Sequence, residues 1–268
     1  MSYVKDTHMV HNKSKLGNVL IVSAHDPSGA GLQADIETCQ ALKCYPATIV
    51  TGLTTQNTRK LSSVRNISAH DFRAQLETLL EEFSPDVCKV GLINSTDLMA
   101  SLSNVITEQL PDIPLVIDPI LGSGSGAKLF TEEIIEGYLQ HLVPIAEIIT
   151  PNLREVRLLS NDRDVVSSVD YLLGKGCKNI LVTDTDPEKE IIINHLFSRV
   201  CRQETYEMKR YRGEYHGTGC TLSSAVACRL ATGMDIRSAV RSAQKYAHSA
   251  VQFAHDLGWC QKIPNRFF

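Results

Sequence analysis

The segment from Tyr215 to Ser223 combines two glycines, a cysteine and several hydroxyl groups directly before a stretch of helical pattern. Gly217 and Gly219 let the backbone approach a ligand closely, and the first N–H groups of a helix have no partner within it. With the helix dipole, they form a site for an anion such as phosphate. Cys220 falls at the helix start, where the pKa of a thiol is lowered and the thiolate can accept a proton. A glycine-containing helix entry with a buried cysteine explains these residues equally well.

A second polar loop, from His25 to Gly31, follows the first apolar run of the chain. Asp35 comes four residues after Gly31, close enough to the start of the next helix to face a ligand above the sheet. A solvated acid in the first turn, favoured by the helix dipole, is the commoner role for such a residue. The loop matches neither GxGxxG nor the GxxxxGK[ST] phosphate-binding loop, and residues 122–128 also fail because Ala127 stands where the latter needs glycine.

Three further oxygen-bearing side chains follow two other predicted strands. Asn152 and Glu155 are three residues apart at a predicted helix start and therefore share one helical face. An amide oxygen and a carboxylate suit Mg²⁺, which keeps its waters and takes few protein ligands. A capping box formed by the same two residues is the more frequent arrangement. Asp118 ends another predicted strand before Pro119, where a turn-forming Asp-Pro is the alternative.

The elements that must position these groups alternate along the chain. Short β-branched runs, such as 18–24 and 47–54, alternate with helical patterns such as 31–42 and 71–83. This alternation predicts right-handed βαβ units and a mostly parallel sheet with helices on both faces. The remaining predicted strands are 61–67, 87–90, 115–117, 148–150, 179–182 and an antiparallel pair, 190–196 and 204–211. The remaining predicted helices are 97–109, 131–139, a short one after Pro151, 165–173, 218–230 and 236–254.

The pattern contains no repeat and no linker, so we expect one α/β domain over residues 18–268, preceded by a flexible tail over residues 1–17. In open α/β sheets, ligands bind at the carboxyl ends of the strands. The anion site, the acid and amide pair and the polar loop all follow predicted strands and therefore meet at one edge. Together they favour phosphoryl transfer, in which positioning and charge stabilisation dominate.

Composition excludes several other classes of protein. The 268 residues carry 27 Lys and Arg against 30 Asp and Glu, a net charge of -3, which argues against nucleic-acid binding through phosphate neutralisation. No apolar run approaches the roughly 18 residues that a membrane span needs, and the polar start does not read as a secretory signal. The eight cysteines form no CxxC pair, so we expect free, mostly buried thiols in a cytoplasmic protein.

Six motifs carry a resemblance to a known family. In chain order they are DPSGAGLQAD (26–35), TTQNT (54–58), KVGL (89–92), VIDPI (116–120), TPNLRE (150–155) and HGTGCTLSSA (216–225). The set resembles the hydroxymethylpyrimidine/phosphomethylpyrimidine kinases of thiamine biosynthesis, which belong to the ribokinase-like superfamily. The resemblance implies a ribokinase-like domain that phosphorylates 4-amino-5-hydroxymethyl-2-methylpyrimidine and then its monophosphate, using ATP and Mg²⁺. It also predicts a homodimer, since superfamily members are often dimers.

The resemblance also implies roles for individual residues. Cys220 takes the place of the catalytic base, and the anion hole for the transferring phosphoryl group is formed by Gly217, Thr218, Gly219 and the N–H of Cys220. The Mg²⁺ shell is organised by Asn152 and Glu155, with Asp118 nearby. The aminopyrimidine is bound by Asp35 and Gln56, with backbone contacts from Ala24 and Thr54.

The sequence departs from the family pattern mainly in segments that are expected to contact the phosphates of ATP. The first loop lacks one glycine, residues 124–127 differ from the usual KSGD, and 257–261 replace a Gly-rich tail. The lysine expected after a late strand is replaced by the sequence VTDTD (182–186), so two acids stand near the path of ATP, and Lys128 is a candidate substitute. Because the lysine is missing, a catalytically weak pyrimidine-binding protein is one alternative. A pyridoxal-type kinase is another, because both substrates carry a hydroxymethyl group on an aromatic nitrogen ring. A Rossmann oxidoreductase does not fit, because GxGxxG is missing.

Overall fold

Nine strands form one sheet in the part of the chain that the computed structural model describes, namely residues 16–122, 129, 131–161, 163–184, 186, 188–199, 203–258 and 260–268. The strands are β1 (Gly17–His25), β2 (Cys44–Gln56), β3 (Leu61–Asn66), β4 (Val87–Val90), β5 (Leu115–Ile117), β6 (Ile148–Ile149), β7 (Asn179–Val182), β8 (Ile191–Ser198) and β9 (Glu204–Lys209). Their order is β3-β2-β1-β4-β5-β6-β7-β8-β9. The six central strands run parallel to one another, namely β2, β1, β4, β5, β6 and β7. The outer strands β3, β8 and β9 are antiparallel to the strands beside them.

The helices of the described chain fill the crossovers between parallel strands and close the fold. They are α1 (Gly31–Ala41), α2 (Ala69–Leu80), α3 (Thr96–Gln109), α4 (Glu132–Gly137), α5 (Leu153–Leu159), α6 (Val165–Gly174), α7 (Thr218–Ala231) and α8 (Ile236–Gln252). Most begin at a residue whose side chain accepts a hydrogen bond from the first turn, as Ser68, Asp164 and Asp235 do. Helix α7 differs, because its N-cap is Gly217 and no side chain caps its first N–H groups.

Two apolar cores lie on the two faces of the sheet. One face packs against α2 to α6 through side chains such as Phe72, Met99 and Leu172. The other face packs against α1, α7 and α8 through side chains such as Leu32, Val226 and Val240. The central strands are buried on both faces, which explains their continuous apolar sequences.

Strand register brings the ends of the parallel strands to one edge. Val22 of β1 pairs with Val90 of β4, which pairs with Ile117 of β5. Ile117 in turn pairs with Ile149 of β6. The residues that follow these positions, including Asp118, therefore meet above the same edge of the sheet.

The predicted fold class is confirmed, with differences at the edges. The structure adds an antiparallel pairing of β2 with β3 that the sequence pattern did not specify. The predicted helix over 131–139 is shorter: α4 ends at Gly137, and a π turn and a 3-10 turn follow as far as Ile145.

The described cysteines are unpaired, and all of them except Cys260 are buried. Residues 1–15 lie outside the described residues, so the flexible tail stays a prediction there, but its predicted end at residue 17 is wrong because β1 begins at Gly17. None of the described helices combines the length and apolar character that a membrane span requires.

Candidate active site

An open cavity of about 660 Å³ lies at the carboxyl ends of the parallel strands. Its wall is formed by the end of β2, by residues that follow β1, β5, β6, β7 and β9, by parts of β8 and α8, and by the start of α7. All the site residues predicted from the sequence line this cavity except Asp35. They are Ala24, Thr54, Gln56, Asp118, Asn152, Glu155, Gly217, Thr218, Gly219 and Cys220. The predicted convergence at one sheet edge is therefore confirmed.

The start of α7 faces the cavity with free backbone donors. Gly217 adopts a φ of 86°, and a side chain there would meet the carbonyl oxygen of Gly29 at 2.8 Å, so the position requires glycine. The hydroxyl of Thr218 is buried and has no hydrogen-bond partner among the described residues. Uncapped N–H groups, the helix dipole and an unpaired hydroxyl together make a site for a phosphoryl oxygen.

The thiol of Cys220 lies at the cavity wall but is largely buried. Burial raises its pKa to about 12, and the charges of Asp118 and Asp35 act in the same direction. The charge of Lys89 and an N–H from Gly31 oppose this effect. The expectation of a lowered pKa is therefore wrong for the protein without ligands, because desolvation outweighs the helix terminus.

Two acidic side chains, Asp118 and Glu155, line the cavity and are buried. Burial and then the charge of Asp118 raise the pKa of Glu155 to about 8. Burial likewise raises the pKa of Asp118, and the hydroxyl of Ser223, 3.2 Å from Oδ2, partly opposes this. Two buried carboxyl groups with raised pKa values form a place where a cation is stabilised, because a positive charge favours their ionised forms.

Asn152 and Glu155 form the capping box that the sequence allowed. Oδ1 of Asn152 accepts from the backbone N–H of Glu155 at 3.0 Å, and Oε2 of Glu155 accepts from the N–H of Asn152 at 3.0 Å. Oε1 of Glu155 also accepts from the N–H of Leu121 at 3.3 Å. No group of three or more His, Cys, Asp or Glu side chains in the described chain is arranged to hold a metal. The oxygen donors fit only an ion that keeps its waters and takes phosphate ligands, as Mg²⁺ does.

A pair of residues not singled out from the sequence joins two loops of the cavity. Nε2 of His216 lies 2.7 Å from Oδ2 of Asp26 and 3.2 Å from the hydroxyl of Ser28. Burial alone would raise the pKa of Asp26, but hydrogen bonds from His216 and Ser28, the charge of His216 and a hydrogen bond from Gln56 lower it to about 2. Asp26 therefore ties the loop after β1 to the residue that precedes the α7 N-cap.

Asp35 does not face the cavity, which corrects its predicted position. Its side chain is fully buried, and Oδ1 accepts from Nζ of Lys89 at 2.8 Å and from the hydroxyl of Ser224 at 2.6 Å. The lysine that pairs with this carboxyl group is 54 positions away, so a sequence pattern does not show the contact. Asp35 is thus placed to support α7 and not to touch a ligand in this cavity.

Comparison with known proteins identifies the family. The family model described as phosphomethylpyrimidine kinase matches residues 26–264, most of the chain. The chain belongs to the phosphomethylpyrimidine kinase family. It is 27% identical over 255 residues to the hydroxymethylpyrimidine/phosphomethylpyrimidine kinase of Haemophilus influenzae, covering 91% of this chain and 94% of that protein.

Two further relatives extend the family comparison. A chloroplastic thiamine biosynthetic bifunctional enzyme of Arabidopsis thaliana is 34% identical over 91% of this chain, but the chain spans only 48% of that enzyme. The ADP complex of Bacillus subtilis pyridoxal kinase superimposes with a TM-score of 0.81 at 25% identity, covering 91% of this chain and 94% of that one. The protein is a kinase of this family with a pyridoxal kinase-like fold.

The contacts of one buried arginine, Arg266, could not be predicted from the sequence. Arg266 is 1% exposed and donates to the carbonyl of Gly29 at 2.8 Å, the hydroxyl of Thr221 at 3.0 Å and Glu37 at 2.7 Å. It therefore ties the loop after β1 to the first turn of α7. No motif of the sequence signals this contact, because its partners are more than 40 positions away.

The structure describes two of the places where the sequence departs from the family pattern. The shortened loop after β1 turns through Gly29, with a φ of +105°, and Gly31, where a side chain would meet the carbonyl oxygen of Ala24 at 2.4 Å. Asp184 lines the cavity, but Nζ of Lys189 lies 3.1 Å from its carboxylate. The segment 124–127 and Lys128 lie outside the described residues.

Proposed function

We propose that this kinase transfers the γ-phosphoryl group of ATP to the hydroxymethyl oxygen of 4-amino-5-hydroxymethyl-2-methylpyrimidine, and a second one to the resulting monophosphate. The observation that carries the choice of acceptor is the position of Gln56, which lines the cavity together with Asp26 and helps to lower the pKa of that carboxyl. An amide whose nitrogen donates to a carboxylate keeps its carbonyl oxygen for another donor. The exocyclic amine of the aminopyrimidine is such a donor, and pyridoxal has no amine.

The order of the sheet supports separate places for the two substrates. Gln56 ends β2 and Asp26 follows β1, on one side of α7. Ile192, Asn194 and Met208, on β8 and β9, line the cavity on the other side. An acceptor bound near Gln56 and a nucleotide bound near β8 therefore approach the start of α7 from opposite directions, as an in-line transfer requires.

The start of α7 provides the groups for the chemical step. Its free N–H groups and the Thr218 hydroxyl hold the transferring phosphoryl oxygens. Cys220 is the group we assign as the base that accepts the hydroxymethyl proton. Since burial raises its pKa to about 12, the thiolate depends on the positive charge of Lys89, and the rate rises with pH.

Mg²⁺ fits the oxygen donors of Asp118, Asn152 and Glu155, with water completing its shell. When bound, the ion neutralises charge on the ATP phosphates. Glu155, whose pKa burial raises to about 8, would favour its ionised form with the cation beside it. Asn152, engaged in the capping box, keeps Glu155 in place for this role.

A pyridoxal-type kinase is the second candidate. The Bacillus subtilis pyridoxal kinase shares the fold, and pyridoxal also carries a hydroxymethyl group on an aromatic nitrogen ring. ADP release with Mg-ATP should be measured separately with the pyrimidine, its monophosphate and pyridoxal. Turnover of the first two, abolished by EDTA, is the expected result. A preference for pyridoxal supports the second candidate, and pyrimidine binding without turnover indicates a binding protein.

A further inference from the structure

The wall of the cavity beside β9 carries a positively charged side chain. Among the described residues that line the cavity, Arg210 is the only lysine or arginine. It directly follows β9 and is partly buried. Its Nε donates to the carbonyl of Lys189 at 2.8 Å and one terminal nitrogen donates weakly to the carbonyl of Asp184 at 3.5 Å. A guanidinium has five N–H donors, so most of them are available to a ligand.

Asp184, the acid nearest to Arg210 in the cavity wall, is already paired with another cation. Nζ of Lys189 lies 3.1 Å from the carboxylate of Asp184 and 3.9 Å from that of Asp186. Arg210 contacts Asp184 and Lys189 only through their backbone carbonyls. None of the ion pairs within the described residues includes Arg210, although its charge helps to lower the pKa of Asp184.

The surroundings of Arg210 indicate that its ligand belongs to a nucleotide. The adjoining wall is apolar and includes Ile192, Met208, Ala247 and Val251. Gln244 is 2% exposed and lines the same cavity, and its Oε1 accepts from Asn194 at 2.8 Å. Its Nε2 has no hydrogen-bond partner in the described chain. A buried donor left unpaired is costly, and the acceptor atoms of a purine ring would satisfy it.

The phosphate group of the acceptor monophosphate is a less suitable ligand. Gln56 ends β2, and in the described sheet β1, β4, β5, β6, β7 and β8 lie between β2 and β9. Arg210 therefore stands on the far side of the α7 start from the residues assigned to the pyrimidine. A phosphate that Arg210 contacts belongs to the molecule bound on the β9 side.

We propose that Arg210 is a binding residue for the polyphosphate chain of the nucleotide. It takes the place of the cation that the segment 182–186 lacks, and Lys189 keeps Asp184 from repelling the phosphates. Arginine suits this task because its planar fork donates two parallel hydrogen bonds to phosphate oxygens. The inference rests on the proposed function, in which ATP is the phosphoryl donor.

The test compares ADP and adenosine binding by calorimetry in variants of the full chain. Arg210→Met should weaken ADP binding by about tenfold to a hundredfold, since a charge-assisted bond to phosphate is lost. Adenosine, which has no phosphate, should bind equally to the wild type and the variant. Arg210→Lys should retain most of the ADP affinity. Arg212→Met is the matched control, because Arg212 is exposed and does not line the cavity, and it should bind ADP as the wild type does.

Three outcomes overturn the inference: unchanged ADP affinity in Arg210→Met, an equal loss of adenosine binding, or no ADP binding by the wild type. If Arg210→Met melts at a lower temperature, the comparison of Arg210→Lys with Arg210→Gln decides, because both retain a donor for the carbonyl of Lys189. Equal ADP affinity of those two variants contradicts a charge effect. Loss of ADP binding in Arg210→Met, with no turnover of any acceptor by the wild type, supports the inference and rejects the proposed function instead.

Discussion

Nζ of Lys89 lies 2.8 Å from Oδ1 of Asp35, and neither side chain is exposed to solvent. Lys89 is on β4 and Asp35 on α1, and Ser224 of α7 donates to the same carboxylate oxygen. Burial would lower the pKa of Lys89, but the charges of Asp35, Cys220 and Asp118 outweigh it and raise this pKa. The ion pair therefore places a permanent positive charge beneath Cys220 and ties the helix of the thiol to the sheet.

Breaking this pair should destabilise the protein strongly. Lys89→Met leaves the Asp35 carboxylate buried without its partner, which costs about 3–5 kcal/mol in the free energy of unfolding. Adding Asp35→Asn removes the stranded charge and should recover most of that loss. Urea unfolding of the single and double variants measures both values. Additive losses in the double variant contradict a direct coupling of the two residues.

Replacement of Cys220 should affect turnover more than binding. Cys220→Ala removes the assigned base, so kcat should fall by roughly a hundredfold or more while the affinity for the pyrimidine stays near that of the wild type. Cys177→Ala is the matched control, because burial also raises the pKa of Cys177 to about 12 but this thiol does not line the cavity. A wild-type kcat in Cys220→Ala rules out the assigned role.

Gln56 should act on the acceptor and not on ATP. Gln56→Ala removes the carbonyl oxygen assigned to the exocyclic amine, so the KM for the pyrimidine should rise about tenfold with the KM for ATP unchanged. Leu53→Ala, an exposed neighbour on the same strand that does not line the cavity, is the control. Steady-state kinetics with each substrate varied measures both constants, and an unchanged pyrimidine KM removes Gln56 from the acceptor site.

The raised pKa of Glu155 predicts how stability depends on pH. Its folded value of about 8 exceeds the reference value of 4.5, so the folded protein binds this proton more tightly than the unfolded chain. The free energy of unfolding should therefore fall as the pH rises from about 4.5 to about 8. Glu155→Gln should flatten this fall in melting temperature, whereas Glu207→Gln, at an exposed position, should not.

Added Mg²⁺ provides a second readout for the same carboxyl group. Because the cation favours the ionised form, Mg²⁺ should raise the melting temperature more at pH 8 than at pH 6. In Glu155→Gln, the difference between the two pH values should shrink. An equal Mg²⁺ effect at both pH values in the wild type would argue against a metal bound beside Glu155.

Short-range patterns predicted the elements, and long-range contacts explain what was missed. The strand Val87–Val90 and the start of α7 at Thr218 are predicted by the apolar runs and glycines at those positions. The direction in which Asp35 points depends on Lys89, 54 positions away. The pairing of Asp26 with His216 spans 190 positions. Both residues lie within quoted motifs, but a linear pattern does not show which motifs touch.

The pKa of Cys220 shows the same division between local and long-range effects. A helix N-terminus is a local feature and favours the thiolate. The desolvation that overrides it comes from the packing of several distant segments around the thiol, together with the charges of Asp118 and Asp35. The prediction from the sequence therefore placed the thiol correctly, but the predicted direction of its pKa shift was wrong.

The most direct test of the proposed function is a competition between the two candidate acceptors. The wild-type kinase, Mg-ATP and equal concentrations of the hydroxymethylpyrimidine and pyridoxal are mixed, and both phosphorylated products are quantified by mass spectrometry. Their ratio gives the ratio of the two kcat/KM values. The pyrimidine monophosphate should exceed pyridoxal phosphate by about tenfold or more, because only the pyrimidine supplies an amine to Gln56. An excess of pyridoxal phosphate would contradict the proposed acceptor.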